Sequence, residues 1–200
     1  MRLPELLKSI ESLPAVMHLE IDGKRYKKTC QYTFSPGLDS KSITGELLDN
    51  LSVPLAILDE EYQALYQFSN GMKLFHSETE NDDSGKYFIP SVVIYPLDRL
   101  ALETECMQSR VLEAMDVGDE SPIYFEGLVI GEAAGTGNPF VVIRSGALAG
   151  KIVYADHDPD INNWHDKPFA ESLTAFLSQI AIPPHAGLCH LYGADRIWFE

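Results

Sequence analysis

Residues 150–161 read Gly-Lys-Ile-Val-Tyr-Ala-Asp-His-Asp-Pro-Asp-Ile, and residues 169–181 read Phe-Ala-Glu-Ser-Leu-Thr-Ala-Phe-Leu-Ser-Gln-Ile-Ala. The first run predicts a strand. Ile152 and Tyr154 fall on one face, Val153 and Ala155 on the other, and Asp158-Pro159 ends it because proline has no N–H for the ladder. The second run predicts a helix, because Phe169, Leu173, Phe176, Leu177 and Ile180 recur at steps of three and four. Pro183-Pro184 stops it. Between the two lies a polar, acidic turn that also holds Trp164 and Lys167.

Upstream of this unit, Ile123–Glu132 and Phe140–Ile143 read as two further strands. They are joined by the tight connection from Ala133 to Pro139 and followed by a turn at Ser145–Ala149. Gly127 is the expected bulge position. Short strands in succession with glycine turns predict an antiparallel meander. Further upstream, Leu55, Leu58, Tyr62, Leu65 and Tyr66 make a helical stripe with Asp59 as its N-cap. Phe68-Ser-Asn-Gly71 should end that helix, since glycine suits the left-handed position beyond a C-cap. Met72–His76 then reads as a strand. Ser77–Lys86 is a polar surface loop, Tyr87–Tyr95 a β-rich run, Pro96–Met115 a helical segment and Asp116–Pro122 a turn.

Two of these stretches resemble the SUKH superfamily, the Smi/Knr-type domain. One is the Leu-x-x-Phe helix ending in Asn70-Gly71, with Met72 where a second glycine is usual in the family. The other is Gly150–Tyr154, Asp156-His157-Asp158 and Ala175-Phe176-Leu177. The resemblance covers roughly residues 54–181. It implies a single SUKH-like domain over residues 1–200, with 1–53 and 182–200 as extensions of it.

Those extensions have readings of their own. Leu3, Leu6, Leu7, Ile10 and Leu13 predict a first amphipathic helix ended by Pro14. Residues 16–34 alternate around Asp22-Gly23, a hairpin signal because both central residues of a type I′ turn need positive φ. Lys24, Arg25, Lys27 and Lys28 on its second arm read as a solvated face that blunts a sheet edge, or as a cationic contact patch. Ser42–Leu51 has room for a helical turn or two. His185–Glu200 reads as a final strand packing on the sheet. The fold class expected is therefore α+β: a mostly antiparallel sheet of about five or six strands with helices packed on one side.

Fifteen basic and 30 acidic residues give the chain a net charge of −15. Residues 1–41 hold seven bases and five acids; residues 42–200 hold eight and 25. This balance argues against nucleic-acid binding, which needs a cationic footprint, and against anionic membranes. No run approaches the ~18 apolar residues of a membrane span, and the N-terminus lacks an apolar signal core. A cytoplasmic protein is expected. Cys30, Cys106 and Cys189 form no CxxC pair and are expected to be reduced, packed thiols.

No catalytic set emerges. Gly131–Gly137 lacks the GxxxxGK[ST] phosphate loop and precedes a strand rather than a helix. Asp156, His157, Asp158 and Asp160, with His165 and Asp166, carry ligand chemistry. An EF-hand loop, however, needs glutamate at its twelfth position, and Lys167 stands there. His185 and His190 flank Cys189 without completing a zinc set. No GxSxG occurs. The expectation is a non-enzymatic chain with no metal and no cofactor.

Function then follows from the resemblance. SUKH domains are mainly binding modules; many bacterial members are immunity proteins that neutralise a cognate toxin, often a nuclease, and fungal members act in cell-wall signalling. Nuclease toxins are commonly basic, and an acidic face would attract a basic protein and speed the encounter. The partner-binding residues expected are Asp156, Asp158, Asp160 and Trp164, with Glu78, Glu80, Asp82 and Asp83 second. The alternatives are a small-molecule-binding regulator or an enzyme, marked by a deep apolar pocket with a few convergent polar groups, and a cell-wall or signalling scaffold of the same fold.

Overall fold

The computed structural model of the 200-residue chain describes residues 1–40, 43, 60–76, 91–115, 127–134, 136, 138–155 and 168–200. The fold is α+β. Six strands form an antiparallel meander: β3 (Gln31–Phe34), β4 (Met72–His76), β5 (Ser91–Ile94), β6 (Gly127–Ala134), β7 (Asn138–Ile143) and β8 (Ile152–Tyr154), hydrogen-bonded in that order. A second sheet of three strands takes the order β2 (Lys24–Thr29), β1 (Val16–Ile21), β9 (Arg196–Phe199). Helices α1 (Leu3–Glu11), α2 (Glu60–Phe68), α3 (Leu100–Met115), α4 (Leu173–Ala181) and α5 (Ala186–Tyr192) pack around them.

The amphipathic patterns act as expected. Leu3, Leu6, Leu7 and Ile10 of α1 are buried, as are Leu173, Phe176, Leu177 and Ile180 of α4. One continuous core runs from Leu3 through the meander to Ile197. Asp22 and Gly23 both take positive φ, 50° and 71°, as a type I′ turn requires. The helix ending at Phe68 closes on Gly71 at φ 96°, against Pro96. The Asn70 side-chain oxygen accepts the Leu97 N–H at 2.9 Å, so this corner ties α2 to the start of the next helical segment.

Four expectations need correction. The second arm of the N-terminal hairpin does not run on to Phe34. The chain leaves the small sheet at Cys30, whose N–H bonds the Ala15 carbonyl, and Gln31–Phe34 joins the large sheet instead. The bulge in β6 lies between Val129 and Gly131, not at Gly127. His185–Glu200 is not a single strand: it opens with α5, and β9 pairs with β1 in the small sheet. Phe169 precedes α4 instead of belonging to it; Ser172 is the N-cap, its hydroxyl accepting the Ala175 N–H at 3.2 Å. Asp59, Leu55, Leu58, the helical turns sought in 42–51, the loop at 77–86 and the turn at 116–122 lie outside the described residues.

The start of α4 also receives a carboxylate from α2. Glu61 accepts the Thr174 N–H at 3.0 Å and the Thr174 hydroxyl at 2.7 Å. A carboxylate there satisfies an orphan donor and complements the helix dipole. Glu61→Ala should therefore lower stability by about 1–2 kcal/mol, as a lost cap does. Urea unfolding followed by circular dichroism measures this, and an unchanged midpoint would show that the contact contributes nothing.

Candidate partner-binding surface

In the meander, successive connections alternate between the two ends of the sheet. His76 ends β4 opposite Gln31, which begins β3. Ser91 begins β5 opposite Ala134, and Asn138 begins β7 opposite Ala133. Tyr154 ends β8 opposite Phe140. These positions all lie at the same end. The described residues that bracket segments 77–90 and 156–167 are therefore His76, Ser91 and Ala155 at one end of one sheet, with Pro168 returning the chain. Neighbouring strands lie about 4.8 Å apart, so three or four steps separate the two roots by roughly 15–20 Å.

The root of the second segment is closely held. Ile152 and Ala170 exchange two backbone hydrogen bonds, of 2.8 and 3.0 Å. Lys151 and Glu171 form an ion pair at 3.0 Å. Tyr154 and Phe169, on either side of the segment, meet at 6.0 Å with their planes tilted by 50°, and both contact Phe140, which also meets Phe176 at 4.8 Å. His190 of α5 closes the cluster, 5.6 Å from Phe169, and Asn138 donates to the Tyr154 hydroxyl at 2.9 Å. The hairpin between β6 and β7, at the same end, is held by Thr136. Its hydroxyl donates to the Ala133 carbonyl at 2.7 Å and accepts the Asn138 N–H at 3.1 Å.

Asp156, Asp158, Asp160, Trp164, Glu78, Glu80, Asp82 and Asp83 all lie outside the described residues. What is fixed is where the two segments that carry them attach. Segment 77–90 holds four acids and Lys86; segment 156–167 holds Asp156, Asp158, Asp160, Asp166 and Lys167. Each thus carries about three net negative charges by sequence.

The other candidate groups resolve more simply. Of the basic run, Lys24, Arg25 and Lys27 are exposed on the edge strand β2, while Lys28 is half-buried. Burial pushes the Lys28 ammonium down to about 8 and the neighbouring Cys30 thiol up to about 11. Cys30 is packed as expected; Cys189 is half-buried, and Cys106 is exposed on α3, contrary to expectation. His185 is buried, with Nδ1 3.0 Å from the Ile180 carbonyl, and burial lowers its pKa. Among the described residues no group of three His, Cys, Asp or Glu side chains is placed to hold a metal ion. No helix among them is long and apolar enough to cross a membrane.

Sequence reasoning missed that the described residues flanking the two segments lie at one end of one sheet, because strand order is a long-range property. The alternation of turns along 72–155 was the signal available for it. No family model matches the chain, and no curated protein matches it.

Proposed function

We propose that the chain is a non-enzymatic binding module of the SUKH type, an immunity protein that neutralises a basic toxin domain through the acidic end of its large sheet. The observation that carries this reading is the shared end: both acidic segments root there, roughly 15–20 Å apart. That spacing fits inside a standard protein interface of about 800 Å² per partner. Some six net negative charges over such a patch would draw a cationic partner from beyond a Debye length of about 8 Å. Trp164, within one of the segments, supplies the kind of aromatic side chain that dominates interface energetics.

The roles follow from chemistry. Glu78, Glu80, Asp82, Asp83, Asp156, Asp158 and Asp160 steer and orient the partner, and Trp164 anchors it. The aromatic staple of Tyr154, Phe140 and Phe169 fixes the ends of one segment before binding, which reduces the ordering cost of association.

Pull-down from source lysate at low and high salt tests this. The expected result is one basic protein domain, retained at low salt, weakened at high salt, and lost when the seven acids are changed to their amides. Retention of the same protein by the seven-amide variant would remove the acidic segments from the interface.

A further inference from the structure

A groove of about 640 Å³ opens beside β9, within the size range of small-molecule sites. Its walls are apolar: Leu13, Ala181, Pro183, Pro184, Ile197 and Phe199. Two of these are prolines, which have no N–H to offer, so the body of a fitting ligand must be largely apolar.

Three polar residues line it: His185, and Arg196 and Trp198, whose side chains leave β9 on the face opposite to Ile197 and Phe199, so the groove follows the free edge of the strand. Arg196 is exposed, and its guanidinium lies 5.4 Å from the centre of the Trp198 ring. Its cross-strand neighbour Glu20 pairs instead with Arg25, at 3.6 Å. Among the described residues no carboxylate lies within ion-pair distance of Arg196. A guanidinium with no ionic partner among the described residues, beside an apolar groove, is unexpected in a chain of charge −15. Trp198 is held in place by stacking on His18, with ring centres 5.2 Å apart and planes 9° from parallel. His185 Nδ1 faces a carbonyl, which only accepts, so Nδ1 carries the proton and Nε2 of the neutral ring is an acceptor.

We propose that this groove is a binding site for a small amphipathic anion, with its apolar or aromatic body between Pro183-Pro184 and Phe199 and its acid group on Arg196. A hydroxyl or N–H on that body would donate to His185 Nε2. The site uses none of the acidic side chains assigned to partner binding, so it stands or falls independently of that reading.

The probe is 1-anilinonaphthalene-8-sulfonate, an aromatic anion that accepts energy from tryptophan. The chain has two tryptophans, and Trp164→Phe leaves Trp198 alone to report. The expected result is saturable binding of one dye per chain with quenching of Trp198 emission. Arg196→Ala should weaken it ten-fold or more, Arg196→Lys by no more than about three-fold, and Arg25→Ala by less than two-fold. The uncharged N-phenyl-1-naphthylamine should bind the same chain at least ten-fold more weakly than the sulfonate, a comparison that needs no change at Arg196. Absence of saturable energy transfer, equal binding of the charged and uncharged dyes, or equal losses at Arg25 and Arg196 would overturn the proposal.

Discussion

Phe140→Ala is expected to destabilise the chain by about 3–5 kcal/mol, the range for removing a fully buried phenylalanine ring. Phe140 has no exposed surface. Its ring meets Tyr154 at 5.4 Å, Phe169 at 5.9 Å and Phe176 at 4.8 Å, so it joins β7, β8 and α4 at one point. Truncation removes these ring contacts and leaves a cavity between elements that cannot all collapse inward. Domains of this kind have total stabilities of about 5–15 kcal/mol, so the loss is a large fraction of the whole. Urea unfolding should show the midpoint fall without a large change in slope. A loss below 1 kcal/mol would mean that this cluster is not the centre of the core. Because Tyr154 and Phe169 bracket segment 156–167, the same variant should also loosen that segment's root. Partner binding should weaken even under conditions in which the chain remains folded.

Gly131→Ala should cost about 3 kcal/mol or more, an unusually large effect for one added methyl group. A Cβ at Gly131 would lie 2.0 Å from the Val93 carbonyl oxygen and 3.2 Å from Ile94 Cα. Both are backbone atoms of the neighbouring strand, so relief requires β5 and β6 to separate. Gly127→Ala provides the contrast. There the new Cβ would meet Cγ1 of Val141 at 2.2 Å, a side-chain atom rather than backbone, so relief needs a shift of one valine and not of a strand. The two variants should therefore differ by more than 1 kcal/mol, with Gly131→Ala the worse. Equal costs would show that the strand pair yields as readily as a side chain.

Local chemistry was legible wherever a residue's own neighbours decide its conformation. Asp22-Gly23 announced its turn because few other residue pairs tolerate two positive φ values. Asn70-Gly71 announced a helix end because glycine tolerates the single positive φ, 96°, that the chain takes there, and the stripe Leu173, Phe176, Leu177, Ile180 announced its buried face. The errors have physical causes as well. Nothing between Thr29 and Gln31 punctuates the sequence, yet the chain changes sheets there. The deciding factor is which strands lie ready to pair, and β4 pairs with residues more than 35 positions earlier. Helix α5 was hidden because it is seven residues long and carries a glycine inside it, Gly187, which fits closely against Gln179. Phe75 takes φ 60° at the bulge where the β3–β4 register shifts. No sequence rule expects a buried phenylalanine in that conformation; packing against Tyr32 and Phe199 offsets the strain.

The candidate surface was legible in composition and illegible in placement. The acids of 77–90 and 156–167 could be read directly, as could their excess over lysine. That the described residues flanking them share one end of the sheet could not be read, because it depends on the order of six strands. Glu61 shows the same limit: its partner Thr174 lies 113 positions away. The groove beside β9 is assembled from the end of α1, the α4–α5 connection and the last strand, three stretches with no common motif.

In the function proposed above, the acidic end of the large sheet carries binding. The most direct measurement is the association rate with the recovered basic partner, as a function of ionic strength. It should be made for the native chain and for the variant with Glu78, Glu80, Asp82, Asp83, Asp156, Asp158 and Asp160 changed to amides. For the native chain the account predicts fast association at low salt that falls steeply as salt rises. For the variant it predicts a rate at least ten-fold lower at low salt and a nearly flat salt dependence. Two superimposable curves would contradict the account and place the interface elsewhere on the molecule.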